Sequence, residues 1–479
     1  MFLADLFFYC SVAFLLGIAF ASLKFNFFFF ILIFLIFIFI LLQAKFFTLK
    51  GASLVFLFLI IGFIYFNFYL HYQKIIQSIY PGKEINSSGI IITDPNQSSL
   101  SQNFIVSLQS PDKGTVEVIT NNYPKFNYGD KIEIKGVILK NNLPYKPFQM
   151  VYPEVKFISS GNGFFLKSLA LNLKNKLLSV FPKFLSADNS AFLGGLTFGE
   201  RADFSKDFKN KLALSGTTHL IALSGYNVSL IVEMLGLVFG WFMSRRKTFY
   251  LISASILFFI LMTGLEASII RASIMGFLAL FAKEIGRIYD FKSSLTLTAV
   301  IMNILNPTIL IFDLGFILSF LSLIGIVYLY PVLKAKFHLE KSGFLNWKEN
   351  ALVTFSAQLM VLPIIFSYFH NFSPMAIFSN IFILEVVPLT TIFGFGLAFL
   401  GIINYYLAWP ISIFVNLLLD YELKIIDIFS HFGFQTTFSL SPILVIAYYL
   451  VIIFIIMKFH YNLSLKKLIK EKNNLKNEF

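Results

Sequence analysis

Charge is what this sequence has least of. Asp, Glu, Lys and Arg supply only 13% of the 479 residues, 57% are hydrophobic, and the mean hydropathy is +0.78. A soluble chain carries about a quarter charged residues, so an ordinary soluble enzyme is excluded and the bilayer must be the main solvent. There is one cysteine, Cys10, inside the first hydrophobic segment, which excludes an intramolecular disulfide and reads as a small core residue. The six histidines, His71, His219, His338, His370, His431 and His460, never cluster. No His-x-His-x-Asp-His, His-Glu-x-x-His or Cys-x-x-Cys spacing occurs, so neither a metal site nor any other cofactor is expected. A Walker A lysine loop is missing as well, so the chain does not itself couple ATP hydrolysis to movement. The first apolar segment lacks a basic n-region and a small-residue cleavage site, and reads as a retained span.

Long apolar runs are abundant. Only a segment that satisfies its own backbone hydrogen bonds can cross hydrocarbon, so runs of about 18 or more apolar residues are read as helical spans. Such runs are expected near 5–23, 26–43 and 51–70, and again near 216–243, 249–263, 265–282, 293–311, 314–332, 350–369, 374–402 with a break at Pro388, 405–429 and 441–458. The expected class is a polytopic α-helical membrane protein of about 10–12 transmembrane helices. Residues 81–160 differ: Pro81-Gly82, Asp94-Pro95, Gly129-Asp130 and Asn141-Asn142 punctuate short alternating runs such as 103–108, 115–119 and 131–134. That pattern predicts a small barrel of about five strands outside the membrane. Residues 163–185 follow with an apolar stripe of period about 3.6 and interspersed lysines, a helix lying on the membrane surface or packed on the barrel.

The net charge of +13 raises nucleic acid or an anionic membrane surface as partners. It is concentrated in short loops, Lys45 with Lys50, Arg245-Arg246-Lys247, Lys283 with Arg287 and Lys292, 334–348, and the tail beyond Lys458. A cytoplasmic amino terminus puts all of these on the cytoplasmic side, as the positive-inside rule requires, with the basic tail inside and the β-domain outside. The expected division is 1–75 amino-terminal spans, 80–160 β-domain, 163–185 amphipathic helix, 190–460 membrane domain and 461–479 basic tail.

Ionisable groups inside spans cost about 2.5–3.5 kcal/mol each at the bilayer centre and demand a partner or a water-filled path. The stretch 217–235 contains His219, Ser224, Gly225, Asn227 and Glu233, and later spans add Glu266, Arg271, Asp313, Gln358, Asn380 and Glu385. On one continuous helix His219, Asn227 and Glu233 share an arc of about 120°, whereas a break at Ser224-Gly225 would expose backbone to the bundle interior. Either arrangement yields a polar strip. Glu266 and Arg271 stand about 140° apart on a helix, so Arg271 is expected to meet an acid of another helix, Glu233 or Asp313, as part of a pathway or as a structural ion pair.

Five segments in order resemble the ComEC family of competence proteins, inner-membrane channels for single-stranded DNA in natural transformation. They are "GLTFGERADFSKDFKNKLALSGTTHLIALSGYNVSLI" (195–231), "TGLEASIIRASIM" (263–275), "GRIYDFKSSL" (286–295), "NPTILIFDLGFILSFLSLIGI" (306–326) and "SAQLMVLPIIFSYFHNFSPMAIFSNIFILEVVPL" (356–389). In addition "YGDKIEIKG" (128–136) is similar to the OB-like extracellular domain of that family. The resemblance implies a conduit whose candidate lining is His219, Ser224, Gly225, Asn227, Glu233, Glu266, Arg271, Asp313, Gln358 and Asn380, with no catalytic residue. It also implies single-stranded DNA as cargo, a cytoplasmic ATP-driven motor, a DNA receptor and a separate nuclease, because no metallo-β-lactamase-like domain follows the last span. Two positions depart from the family pattern: Asn227 stands where its histidine is usual, and Ile317 where its glutamine is usual. Asn hydrogen-bonds without taking up a proton near neutrality. A permease for another polar solute or polymer, and a membrane-embedded hydrolase built on Ser224 and His219, are the competing readings.

Overall fold

The computed structural model describes residues 3–24, 49–98, 100–141, 147–200, 204–221, 225–337, 347–368, 373–433 and 440–477. The span expected at 26–43 and the candidate Ser224 lie outside them. The chain separates into two compact units, one comprising 1–203, 222–317 and 394–412, the other 204–221, 318–393 and 413–479.

In the first unit α1 (Leu3–Ser22) and α2 (Leu49–Ile76) pair closely. A Cβ on Gly17 would fall 2.1 Å from the Leu59 carbonyl oxygen, and one on Gly62 equally close to that of Phe14, so two glycines let the backbones touch. The β-domain follows as seven antiparallel or parallel-paired strands, β1 (Glu84–Ile91), β2 (Asn96–Gln97), β3 (Ser101–Leu108), β4 (Gly114–Asn121), β5 (Lys131–Val137), β6 (Phe148–Val151) and β7 (Glu154–Ser159). Their order is β6-β4-β3-β1-β5-β7, with β2 beside β3. The edge strands β6 and β7 are joined by only Tyr152 and Pro153, a link of about 10 Å at full stretch. The sheet must therefore curl until its two edges approach, giving an OB-like half-barrel. Period-2 alternation turns Phe104, Val106 and Leu108 of β3 and Val116 and Val118 of β4 inward, where they meet Ile132 and Ile134 of β5. Five strands were expected from the sequence; the two-residue β2 and the four-residue β6 account for the difference.

Helix α3 (Phe165–Leu178) is docked on this sheet by its lysines. Lys167 Nζ donates to the Ile92 carbonyl at 2.7 Å and sits 4.6 Å over the Tyr128 ring, while Lys174 reaches Asp94 at 3.2 Å and Glu200 at 2.7 Å. The unit continues with α4 (Ala187–Phe198), α6 (Gly225–Phe242), α7 (Arg245–Thr263), α8 (Ala267–Glu284) and α9 (Phe291–Leu305). In the second unit, α5 (Lys206–Ser215) and a 3-10 turn over Thr218–Leu220 lie with α11 (Trp347–Tyr368) and α12 (Ala376–Ile383). Three longer helices run through or end the chain: α10 (Leu314–Lys336, with one π turn at Gly325–Leu329), α14 (Tyr405–Phe432) and α15 (Pro442–Asn477). Between α12 and α14 stands α13 (Val387–Ile403).

Among the described residues six helices are long and apolar enough to cross a membrane, and seven if α12 and α13, bent by 53°, form one broken span. Large apolar side chains point outward from them, Phe68 of α2 at 65% and Leu257 of α7 at 60% exposure, as expected where lipid is the solvent. Two expectations are corrected. The helix expected from 216 is interrupted, because Gly216 at φ 73° ends α5 and a separate 3-10 turn follows before the helix described from Gly225. The break expected at Pro388 falls at residues 384–386, and the proline occupies the first turn of α13, where its missing N–H costs nothing.

Candidate functional site

The polar residues singled out from the sequence divide between the two units. In the first, Gly225 opens α6 and faces α8: a Cβ there would lie 2.9 Å from Arg271 Nη2 and 3.1 Å from the Ala272 side chain. Glycine at this position therefore admits the guanidinium to the helix start. Arg271 is buried, 8% exposed. Two residues beyond Gly225, buried Asn227 turns the other way and donates to the Leu196 carbonyl at 2.7 Å, tying α6 to the last turns of α4. An amide performs this task at any pH.

Neither acid expected to meet Arg271 forms an ion pair with it among the described residues. Glu233 is exposed on α6 and lines a cleft of about 650 Å³ between α6, α7 and α8, together with Arg245, Lys283 and Glu284. Glu284 forms an ion pair with Arg245, its carboxylate oxygen 3.3 Å from Nε, at one end of that cleft. Asp313 Oδ1 instead accepts from the Phe316 backbone N–H at 2.9 Å, capping α10. Glu266 is the N-cap residue of α8, after a left-handed step at Gly264 and Leu265.

The remaining candidates belong to the second unit. His219 sits exposed in the 3-10 turn, its Nδ1 3.2 Å from the Gly216 carbonyl. The surrounding Ser-Gly-Thr-Thr-His motif is a packing device: Ser379 Oγ on α12 donates to the Ser215 carbonyl at 2.8 Å, and a Cβ on Gly216 would collide with Ala376 at 2.4 Å. Asn380 on α12 is buried with its Oδ1 lacking a partner among the described residues, and half-buried Gln358 on α11 leaves Oε1 in the same state. Glu385 in the break accepts from Asn350 Nδ2 of α11.

One buried acid was missed. Glu422 is fully buried on α14, with Oε1 2.6 Å from Thr390 Oγ1 of α13 and Oε2 without a partner among the described residues. The run Asp420-Tyr421-Glu422-Leu423-Lys424 reads as a solvated face, but helix phase separates its members. Val415, Leu419, Glu422 and Ile426 form one buried stripe at spacings of four, three and four, whereas Asp420 and Lys424 fall outside it and are exposed.

No solved structure matches the chain. ComE operon protein 3 of Bacillus subtilis (strain 168) is 24% identical over 219 residues, which is 45% of this chain and 27% of that protein. The segment holding the Gly225–Arg271 approach, the Gly216 turn, the broken helix and Glu422 is also the segment, residues 196–461, matched by the model of the Competence protein family, and the chain belongs to that family.

Proposed function

We propose that this chain is the membrane conduit through which single-stranded DNA enters the cell during natural transformation. The observation that carries the reading is the family match across 196–461, joined to a curled OB-like sheet and a set of apolar helices in one chain. A DNA strand brings one negative charge per nucleotide and cannot enter hydrocarbon, so a hydrated path with a cation in it is required. Arg271, admitted to the start of α6 by Gly225, is the cation we assign to that path. Both termini are cytoplasmic and the β-domain faces outward, by the charge of the loops. A receptor delivers the strand, a separate nuclease removes its complement, and a cytoplasmic motor pulls, since this chain carries no nucleotide-binding lysine loop.

The reading is tested by uptake of labelled DNA into the cytoplasm of competent cells whose own channel gene is deleted. Complementation with this chain restores uptake, and the Arg271→Ala chain, inserted to the same level, loses it by about tenfold or more, the effect of one unmet charge contact of about 1.4 kcal/mol or above. Equal uptake by both chains would remove Arg271 from the path. No uptake by either, despite insertion, would sink the conduit reading.

A further inference from the structure

The second unit holds a carboxylic acid for which DNA passage supplies no task. Glu422 has Thr390 as its hydrogen-bond partner, at 2.6 Å, and its other oxygen is buried with none among the described residues. Among the described residues no cation reaches it. On its own helix Asp420 and Lys424 are exposed and Asp427 is paired with Lys211 at 2.8 Å. Helices α12 and α13 carry no ionisable residue, the break between them has only Glu385, which is engaged by Asn350, and Glu349 of α11 is bound to Lys334 at 3.1 Å.

The protons around Glu422 can be counted. The Thr390 hydroxyl has one proton and two acceptors in reach, Glu422 Oε1 at 2.6 Å and the Val386 carbonyl at 3.3 Å. With Glu422 ionised, the hydroxyl must turn to the carboxylate, and Oε2 is left as a charged oxygen in a buried site without a donor. With Glu422 neutral, its O–H donates to Thr390 Oγ1 and the Thr390 O–H is released to Val386. Every proton is then used, and the oxygen left over is an uncharged carbonyl. Val386 lies in the turn that breaks α12 from α13, so the chain of hydrogen bonds ends on the hinge of the bent pair.

We propose that Glu422 is a proton-binding site of the membrane domain, and that the proton it holds closes the break between α12 and α13 through Thr390 and Val386. Release is a single O–H heterolysis: the proton passes to water, the carboxylate remains, and the ionised side chain draws water into the break. The proposal is independent of what the domain conducts.

The full chain in lipid nanodiscs supplies the test, by infrared difference spectroscopy against Glu422→Gln. That substitution keeps the shape and a donor but cannot ionise. The expected difference is one carbonyl stretch of a protonated carboxylic acid, present in the native chain at neutral pH. Its absence would overturn the bound proton. Amide hydrogen exchange at 384–386 tests the closure. The ratio of native to Glu422→Gln rates, in which intrinsic exchange cancels, rises with pH by up to about tenfold per unit, because opening releases one proton. A ratio flat with pH would overturn the hold of the proton on the break. Thr390→Val retains the infrared band and speeds exchange at the break where Glu422 holds its proton; unchanged exchange there would remove Thr390 from the connection.

Discussion

The β-domain and the second helical unit both bury polar side chains, and they treat them differently. In the β-domain Gln102 is fully buried, and its Nε2 donates to the carbonyls of Asn121 at 2.7 Å and Pro124 at 2.6 Å while its Oε1 accepts from the Phe126 N–H. Asp112 is met by Ser87 and Lys83, and Asp130 accepts from the Asn127 N–H at 2.7 Å. Among the described residues of the second unit Gln358, Asn380, Thr391 and Glu422 each keep a buried oxygen without a partner, against Asn122 Oδ1 in the β-domain. An orphaned buried group costs about 1–3 kcal/mol, so satisfied groups report on a fold that needs them, and orphans on a site that needs something else. Water or a passing chain can supply the missing donors in a conduit.

The contrast breaks most readily at Gln102. Replacing it by Leu keeps the volume but strips both donors from two loop carbonyls, so a loss of about 2–4 kcal/mol is expected. The measurement is amide exchange of β3 and β4 in the full chain, which should rise while protection of α7 and α8 stays unchanged. Unaltered β-domain protection would show that these contacts are incidental.

Asp112 gives a smaller effect whose sign is fixed by its partners. The hydrogen bond from Lys83, at 2.6 Å, and that from Ser87 hold its carboxyl below the ordinary value of 3.8, against the opposing pull of partial burial. A carboxyl lowered by folding contributes stability that is fully present above 3.8 and is lost as pH falls through its own lower value. The β-domain should therefore lose about 1–2 kcal/mol on acidification below that point, and Asp112→Asn should flatten the dependence. A native-like acid slope in the Asn chain would assign the effect to other carboxylates.

How far these contrasts were legible in the sequence follows from the length of the signal behind each. Strands β3, β4 and β5 alternate over seven or eight residues, and their inward positions could be read directly. Two-residue β2 and four-residue β6 alternate too briefly to be seen. Hydropathy runs unbroken through 217–235, so it could not reveal that Gly216 ends one helix and that His219 and Asn227 stand on different elements. Arg271 stood out because a cation in an apolar run is conspicuous, but its approach to Gly225 depends on the packing of α6 on α8, which no spacing encodes. Glu422 was hidden by neighbours of its own kind, and only its phase with Val415, Leu419 and Ile426 marks it.

The smallest stability change is expected where the contrast is sharpest. Asn380→Leu removes a buried side chain whose Oδ1 has no partner to lose among the described residues, and an apolar group of similar volume in its place is close to neutral, within about 0.5–1 kcal/mol. By that measure it is the mirror of Gln102→Leu, the same exchange of amide for aliphatic with the opposite account of partners. Thermal unfolding of the full chain in detergent should leave Asn380→Leu within about 2–4 °C of the native protein, while DNA uptake in the complemented cells falls, since a donor-seeking oxygen has been removed from the interior of the bundle. If the substitution instead unfolds the second unit, Asn380 is bonded in the membrane as Gln102 is in the β-domain, and the orphans of that unit would be structural groups whose partners only the bilayer provides.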